Sequence, residues 1–250
     1  MKKIHYGWMI LVVTFFSIIV AGIIHSSSGV FLVPFEEEFG WDRAFISLSF
    51  AISLVIYGFS GPFVAALLEN VGVKKIMVLA MSILWVGIGL TFFMAYSWQL
   101  ILIWGFIFGI GSSVFLTVLS TYVANHWFEK RRGLILGILT ASTATGQLIL
   151  LPVLAVIVES FSWKWAMELI FFLSAVMIPL ILIFMKNSPQ EVGLARYGQI
   201  GEDHEEAILE KKNPVRLAFG ILKEAVRLTL PQLKLWDSFF PHAVSRHISR

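Results

Sequence analysis

The chain has 250 residues, a net charge of +3, and is 58% hydrophobic but only 14% charged, where a soluble domain is roughly a quarter charged. With a mean hydropathy of +0.82 it has too little polar surface to coat a globule in water, so its solvent is expected to be lipid. It contains no cysteine, which excludes a disulfide framework and any Cys-based metal or redox site.

Six apolar runs follow in chain order, at residues 8–35, 44–68, 76–96, 99–124, 133–158 and 165–185. Each is about 20 residues or longer, enough for a helix to cross a ~30 Å hydrocarbon core. Backbone polar groups in lipid must find partners within the protein, which leaves helices or closed barrels. The runs are too long and continuous for barrel strands. The chain therefore reads as an all-α membrane protein of six spanning helices. The first run is too long for a signal peptide and ends in no cleavage pattern.

The runs differ in what they carry at mid-depth. The first holds Gly22, His25, Ser26, Ser27 and Ser28, and the second holds Ser49, Ser53 and Tyr57 on one helical face. The fourth holds Gly109, Gly111, Ser112, Ser113 and Thr117, and the fifth holds Thr140, Thr143 and Gln147. The third and sixth are bland, and Leu84 and Leu180 are expected to face lipid while Tyr57, Thr143 and Gln147 face a wet cavity. Small residues in such stripes more often serve close helix packing than ligand contact. Larger polar groups need a partner or water, which favours Tyr57 and Gln147. His25 is the one ionisable side chain near mid-depth, and intramembrane ionisable groups point to function. Its alternatives are substrate or proton contact, or a neutral imidazole bonded to the serine run. Glu168 lies one turn inside the sixth run, within reach of the interface, and reads as structural.

Lys and Arg set the orientation. Alternate loops carry Lys2 and Lys3, Lys74 and Lys75, then Lys130, Arg131 and Arg132, with Lys186 after the sixth run. The opposite loops carry Arg43 and Lys164 beside the acidic run Glu36, Glu37, Glu38. Both termini are expected in the cytoplasm, with the spans in the cell (inner) membrane. Trp8, Trp41, Trp98, Trp127, Trp163 and Trp165 fall near helix ends, where indole rings favour the headgroup layer.

Several stretches carry a family likeness. "WFEKRRGLILGI" (Trp127–Ile138) resembles the junction of the fourth and fifth helices in the major facilitator superfamily, within the branch of monocarboxylate transporters and oxalate/formate antiporters. "YGWMILVVTFF", "SGVFLVPFEEEFGWDRAFISLSFAI", "GPFVAALLENVGVKKIMV", "GQLILLPVLAVIVESFSWKWA" and "SPQEVGLARYG" resemble that branch in the same order, over roughly residues 6–200. The resemblance implies the N-terminal six-helix half of the fold. It further implies that the first and fourth helices line a cavity and that the second and fifth face an opposite half. Substrate contacts are then expected at His25, Ser26, Ser53, Tyr57, Thr117, Thr143 and Gln147. A conformational loop motif falls at Gly61, Glu69, Gly72, Lys74 and Lys75, and the helix 4–5 loop at Lys130, Arg131, Arg132 and Gly133.

Two departures stand out. The family's loop signature has an Asp–Arg pair where this chain has Glu69 and Asn70, so a clasp that needs the cation is expected to be weaker. The Arg of the superfamily's proton antiporters falls on Gly105, which argues against antiport built on that residue.

The organisation reads as a six-span domain at 1–185 and a polar central-loop segment at 186–227 with a short amphipathic helix. Residues 228–250 form an atypical tail. It reads as a chain cut short and out of frame, or as the end of a half-size protein. The six histidines show no ligand spacing and no glycine-rich phosphate cradle is present, so metal, cofactor, catalysis and nucleic acid are not expected. The resemblance implies a secondary transporter of a small organic anion, of monocarboxylate or dicarboxylate class, with lipid bilayer, substrate and a second half or second chain as partners. This chain alone is then an inactive half. The alternative is a half-size membrane subunit without transport of its own.

Overall fold

A computed structural model of the chain describes residues 5–198, all within one unit, Met1–Glu206. The amphipathic segment expected up to residue 227 and the tail at 228–250 lie outside the described residues. Among the described residues there is no β-strand, and six helices are long and apolar enough to cross a membrane.

The first span is α1 (Tyr6–Ser26). The His5 ring caps it, its Nδ1 accepting from the Gly7 N–H at 3.1 Å. A one-residue break at Ser27, whose hydroxyl donates to the Ile24 carbonyl at 2.9 Å, leads into α2 (Ser28–Phe39). The expected single run 8–35 is thus two helices, and the acidic run Glu36–Glu38 is helical instead of a loop. Gly40 ends α2 in the left-handed region at φ +66°, where a residue without Cβ costs least.

Asp42 caps α3 (Arg43–Val71) by accepting from the Ala44 N–H at 2.6 Å. Gly72, at φ +98°, turns the chain into α4 (Val73–Thr91). No neighbouring side chain caps α4. The Lys74 N–H instead donates to Asn187 Oδ1 at 3.1 Å, joining the third span to the segment after the sixth.

The fourth span, Ser97–Trp127, is irregular. It comprises α5 (Ser97–Leu100), a π-helical stretch at Ile101–Ile107, α6 (Phe108–Leu116) and α7 (Leu119–Trp127). Arg131, at φ +63°, precedes α8 (Arg132–Ser160), and Ser162 caps α9 (Trp163–Phe184).

Core packing centres on α1, which lies against α8, α6 and α9. The small residues do what close packing asks of them. A Cβ on Gly109 would sit 3.2 Å from the Ser53 carbonyl oxygen, and one on Gly111 would sit 2.7 Å from Leu84 Cδ2. Leu84 is therefore fully buried against α6, not lipid-facing as expected, because even a peripheral helix turns one face inward. Leu180 is half-buried. The third and sixth spans pack against each other, and the second and fifth are the least buried of the six.

The tryptophans also divide. Trp98 and Trp165 are exposed at helix ends, as a headgroup-seeking ring should be. Trp127 and Trp163 are buried, because aromatic neighbours cover them. Trp163 meets Phe35 edge-on at 5.2 Å, and its Nε1 donates to Glu38 at 3.0 Å.

Candidate functional site

At mid-depth the structure gathers side chains from four spans around the last turns of α1. Gln147 Nε2 on α8 donates to Ser26 Oγ on α1 at 2.7 Å. The Tyr57 ring on α3 lies 5.1 Å from the His25 ring, centroid to centroid. Its hydroxyl reaches the Leu116 carbonyl at a long 3.5 Å, where the fourth span bends between α6 and α7. That bond is weak by geometry, which leaves the phenol free to take a better partner. Thr143 packs beside Gly22, one turn of α8 before Gln147. Thr117 stands apart in its chemistry, since its hydroxyl is taken up by the Ser113 carbonyl of its own helix at 2.6 Å.

His25 is half-buried and its Nδ1 has no hydrogen-bond partner, so it is not bonded to the serine run. Ser28 instead donates to the His25 backbone carbonyl at 3.3 Å. A cavity of about 60 Å³ lies beside the imidazole, bordered also by Ser53 and Trp104. Trp104 was not legible as a site residue. It falls within a continuous apolar run, and it sits in the π-helical stretch.

The loop motif assembles at the basic end of the bundle, with Gly61 set apart eleven residues upstream of Gly72 on α3. A Cβ on Gly72 would sit 2.7 Å from Asn187 Oδ1, so glycine is needed both for the turn and for the approach. Asn187 in turn donates to Glu191 through its backbone N–H at 3.0 Å and its amide at 2.9 Å. The Asn187 side-chain bond holds the Glu191 carboxyl below its ordinary value, with help from Lys186 and Lys74. Lys75 is exposed.

Glu69 finds a partner that the motif did not announce. His126 Nε2 on α7 lies 3.7 Å from its carboxylate, while Asn70 only donates to the Ala66 carbonyl at 2.7 Å. His126 Nδ1 faces the Tyr122 carbonyl at 2.9 Å and must carry a proton to bond it. Nε2 is therefore protonated, and the pair with Glu69 ionic, only in the imidazolium form.

The helix 4–5 loop is strapped to the segment after the sixth span. The Tyr197 N–H donates to the Trp127 carbonyl at 2.9 Å, and the Tyr197 carbonyl accepts from Glu129 and Lys130 at 3.0 and 3.2 Å. Tyr197 also meets the rings of His5, Trp8 and Phe128. Arg132 Nε donates to the Phe128 carbonyl at 2.8 Å, while Lys130, Arg131 and Gly133 are exposed. The stretches "YGWM", "WFEKRR" and "LARYG" thus form one plate.

The acidic end is closed by a clamp. Lys164 Nζ and Trp163 Nε1 donate to Glu38 at 2.7 and 3.0 Å, and these bonds, the Lys164 one foremost, hold its carboxyl below the ordinary 4.5. A carboxyl depressed in the folded state stabilises fully above its unfolded pKa, and that stabilisation is lost as pH falls through the folded value. The pair is partly exposed, so its worth is about 1 kcal/mol or less. Thermal melting should therefore show a gap between the native chain and Glu38→Gln at pH 7 that closes under strongly acidic conditions. No gap at either pH would show the clamp to be idle.

Comparison with known proteins bears on this arrangement. A family model described as Major Facilitator Superfamily matches residues 14–242, further along the chain than the motif likeness up to about residue 200. An uncharacterized MFS-type transporter of Bacillus subtilis, YcxA, is 30% identical over 187 residues, covering 73% of this chain and 45% of that protein. Monocarboxylate transporter 13 of Rattus norvegicus is 25% identical over 170 residues, covering 68% of this chain and 39% of its own. A hexuronate transporter of Bacillus subtilis is 28% identical over 144 residues, covering 57% and 33%. In each case the match spans less than half of the relative's length.

Proposed function

We propose a transport role from one premise: the chain belongs to the Major Facilitator Superfamily. It supplies six spans of a secondary transporter for a small organic anion, of monocarboxylate or dicarboxylate class, that works by alternating access. The observation that supports this most is the meeting of His25, Ser26, Tyr57 and Gln147 from α1, α3 and α8 at mid-depth. Thr117, by contrast, satisfies its hydroxyl within its own helix. Here the groups reach across helices and leave a buried imidazole nitrogen free.

A second six-span unit completes the site in this reading, from a longer chain or from another one. Its seat is the pair of least-buried spans, where α3 exposes Leu54, Val55 and Phe59, and α8 exposes Leu148, Ile149 and Val153. No Lys or Arg lies at mid-depth in the described spans, so the charge that balances an anion comes from that unit. Proteoliposome uptake with and without a fused second half tests the role.

The basic end faces the cytoplasm of the cell (inner) membrane, by the Lys and Arg bias. The chain has no native cysteine to confuse labelling, and Ala95, just before the fourth span, and Gly133, at the start of the fifth, are both exposed. An impermeant thiol reagent added outside intact cells should modify Ala95→Cys and spare Gly133→Cys. The opposite pattern would invert the topology.

A further inference from the structure

A groove of about 230 Å³ opens between the third and fourth spans, at the end of the bundle remote from the basic loops. Leu90 and Phe93 form one wall, and Leu102, Ile103 and Ile107 form the other. Its inner end is closed where the spans touch. A Cβ on Gly87 would sit 2.6 Å from Phe108 Cε1 and 2.7 Å from Ile107 Cγ2. The second wall belongs to the π-helical stretch Ile101–Ile107. A helix with i→i+5 bonds turns less per residue than an α-helix, so residues four and five apart share a face. Ile107 stands four residues after Ile103 and five after Leu102, and all three meet the groove.

The groove continues the surface that the bilayer covers. On α4 the exposed residues Leu79, Val86 and Leu90 follow at helical spacing up to Phe93, and on the fourth span Leu102, Phe106 and Ile110 do the same. Its lining includes nothing from α3 or α8, the spans proposed to seat a second unit. Between Lys75 and Glu129 no residue is Lys, Arg, Asp or Glu, so no charged segment of a partner finds a counter-charge here. What remains is the apolar matter of the membrane itself. At the mouth stand Gln99 and Trp98, an exposed indole of the kind that favours the headgroup layer. Gln99 Oε1 accepts from the Ala95 and Tyr96 N–H groups at 2.7 and 3.0 Å, which leaves its amide N–H groups for an ester oxygen.

We propose that this groove holds one acyl chain of a membrane phospholipid, seated between the third and fourth spans with its glycerol ester near Gln99. Lipid tails are as apolar as leucine, so burial from water does not drive the seating; packing against two walls in place of one does. The seat is therefore selective for the acyl chain and indifferent to headgroup charge. The proposal needs only that the protein spans a membrane, and it is independent of what is transported.

The test uses the whole 250-residue chain in phosphatidylcholine nanodiscs, with some of the lipid carrying a photoreactive group along one acyl chain. After irradiation, mass spectrometry of the digest locates the adducts. Adducts on residues 90–107 should exceed those on Phe172, an exposed ring of α9, by about tenfold, because a chain between two walls makes on the order of ten more dispersion contacts. Leu102→Trp fills the groove, and Phe93→Ala removes a wall residue that is 81% exposed. Each should bring the groove down to the Phe172 level and leave Phe172 itself unchanged. Phe93→Ala disturbs no buried packing, so it gives a reading even where Leu102→Trp does not fold. Photoreactive phosphatidylglycerol should label the groove as well as phosphatidylcholine does. Equal labelling of groove and Phe172 in the native chain, or groove adducts that neither variant lowers, would reduce the groove to ordinary lipid-facing surface. A groove free of adducts in discs that hold two chains would show a second copy seated there. A strong preference for phosphatidylglycerol would contradict the uncharged mouth. Each of these outcomes overturns the proposal.

Discussion

Saturable uptake of a monocarboxylate is expected to be absent from proteoliposomes holding the 250-residue chain alone. It is expected to appear when six further spans of a monocarboxylate-transporter relative are fused after Arg227. The size of the effect follows from desolvation. A carboxylate moved into a low-dielectric site without a compensating charge or a full set of hydrogen bonds is heavily penalised. The described spans offer neutral donors at mid-depth and no Lys or Arg. A dimer of this chain doubles the donors and still brings no such cation. The exposed apolar faces of α3 and α8 are the contact surface proposed for a second unit. Saturable uptake by the unfused chain, abolished by His25→Ala, would show that six spans hold a complete site. A correctly inserted fusion without uptake would count against the transport reading itself.

Trp127→Ala should cost about 3–5 kcal/mol of stability, the range for emptying a buried large aromatic site. Trp127 is wholly buried, its ring 6.0 Å from Tyr6, and its carbonyl accepts the Tyr197 N–H. Tyr6 in turn donates to the Phe184 carbonyl at 2.7 Å, so the starts and ends of several spans meet over this indole. Its loss leaves a cavity that helix ends pinned by hydrogen bonds cannot easily fill. Trp98→Ala is the matched control, since Trp98 is 56% exposed at the other end of the same span. Thermal melting in one detergent should show a large drop for Trp127→Ala and a small one for Trp98→Ala. Equal drops would mean that the plate of "YGWM", "WFEKRR" and "LARYG" contributes nothing beyond ordinary burial.

Both tryptophans look alike in the sequence, as amphipathic rings near helix ends. What separates them is whether distant segments fold over the ring, and no local pattern encodes that. Leu84 fails for the same reason: a bland apolar helix gives no sign of which face meets Gly111. The motif glycine fared differently. The family resemblance placed Gly72 in a loop motif, and the structure adds its positive φ and the Asn187 side chain, more than a hundred residues later, in the space its missing Cβ leaves. His126 was passed over as one scattered histidine, because its partner Glu69 lies two spans away. Trp104 was hidden in a run of apolar residues, where helical periodicity assumes a regular turn and the π-helical stretch breaks it.

Length and hydropathy alone determined the six spans, because lipid admits only long apolar helices of this kind and each helix satisfies its own backbone. The mid-depth stripes were legible too, since a polar side chain in an apolar run is conspicuous wherever it points. Which stripes meet was decided by tertiary packing: Ser26 with Gln147, His25 with Tyr57, and Ser53 with Trp104 around one cavity. Helical spacing fixes a residue's angle about its own axis only. The rotation of each helix against its neighbours depends on how small residues such as Gly109 and Gly111 let particular faces approach, and that is a property of the assembled bundle.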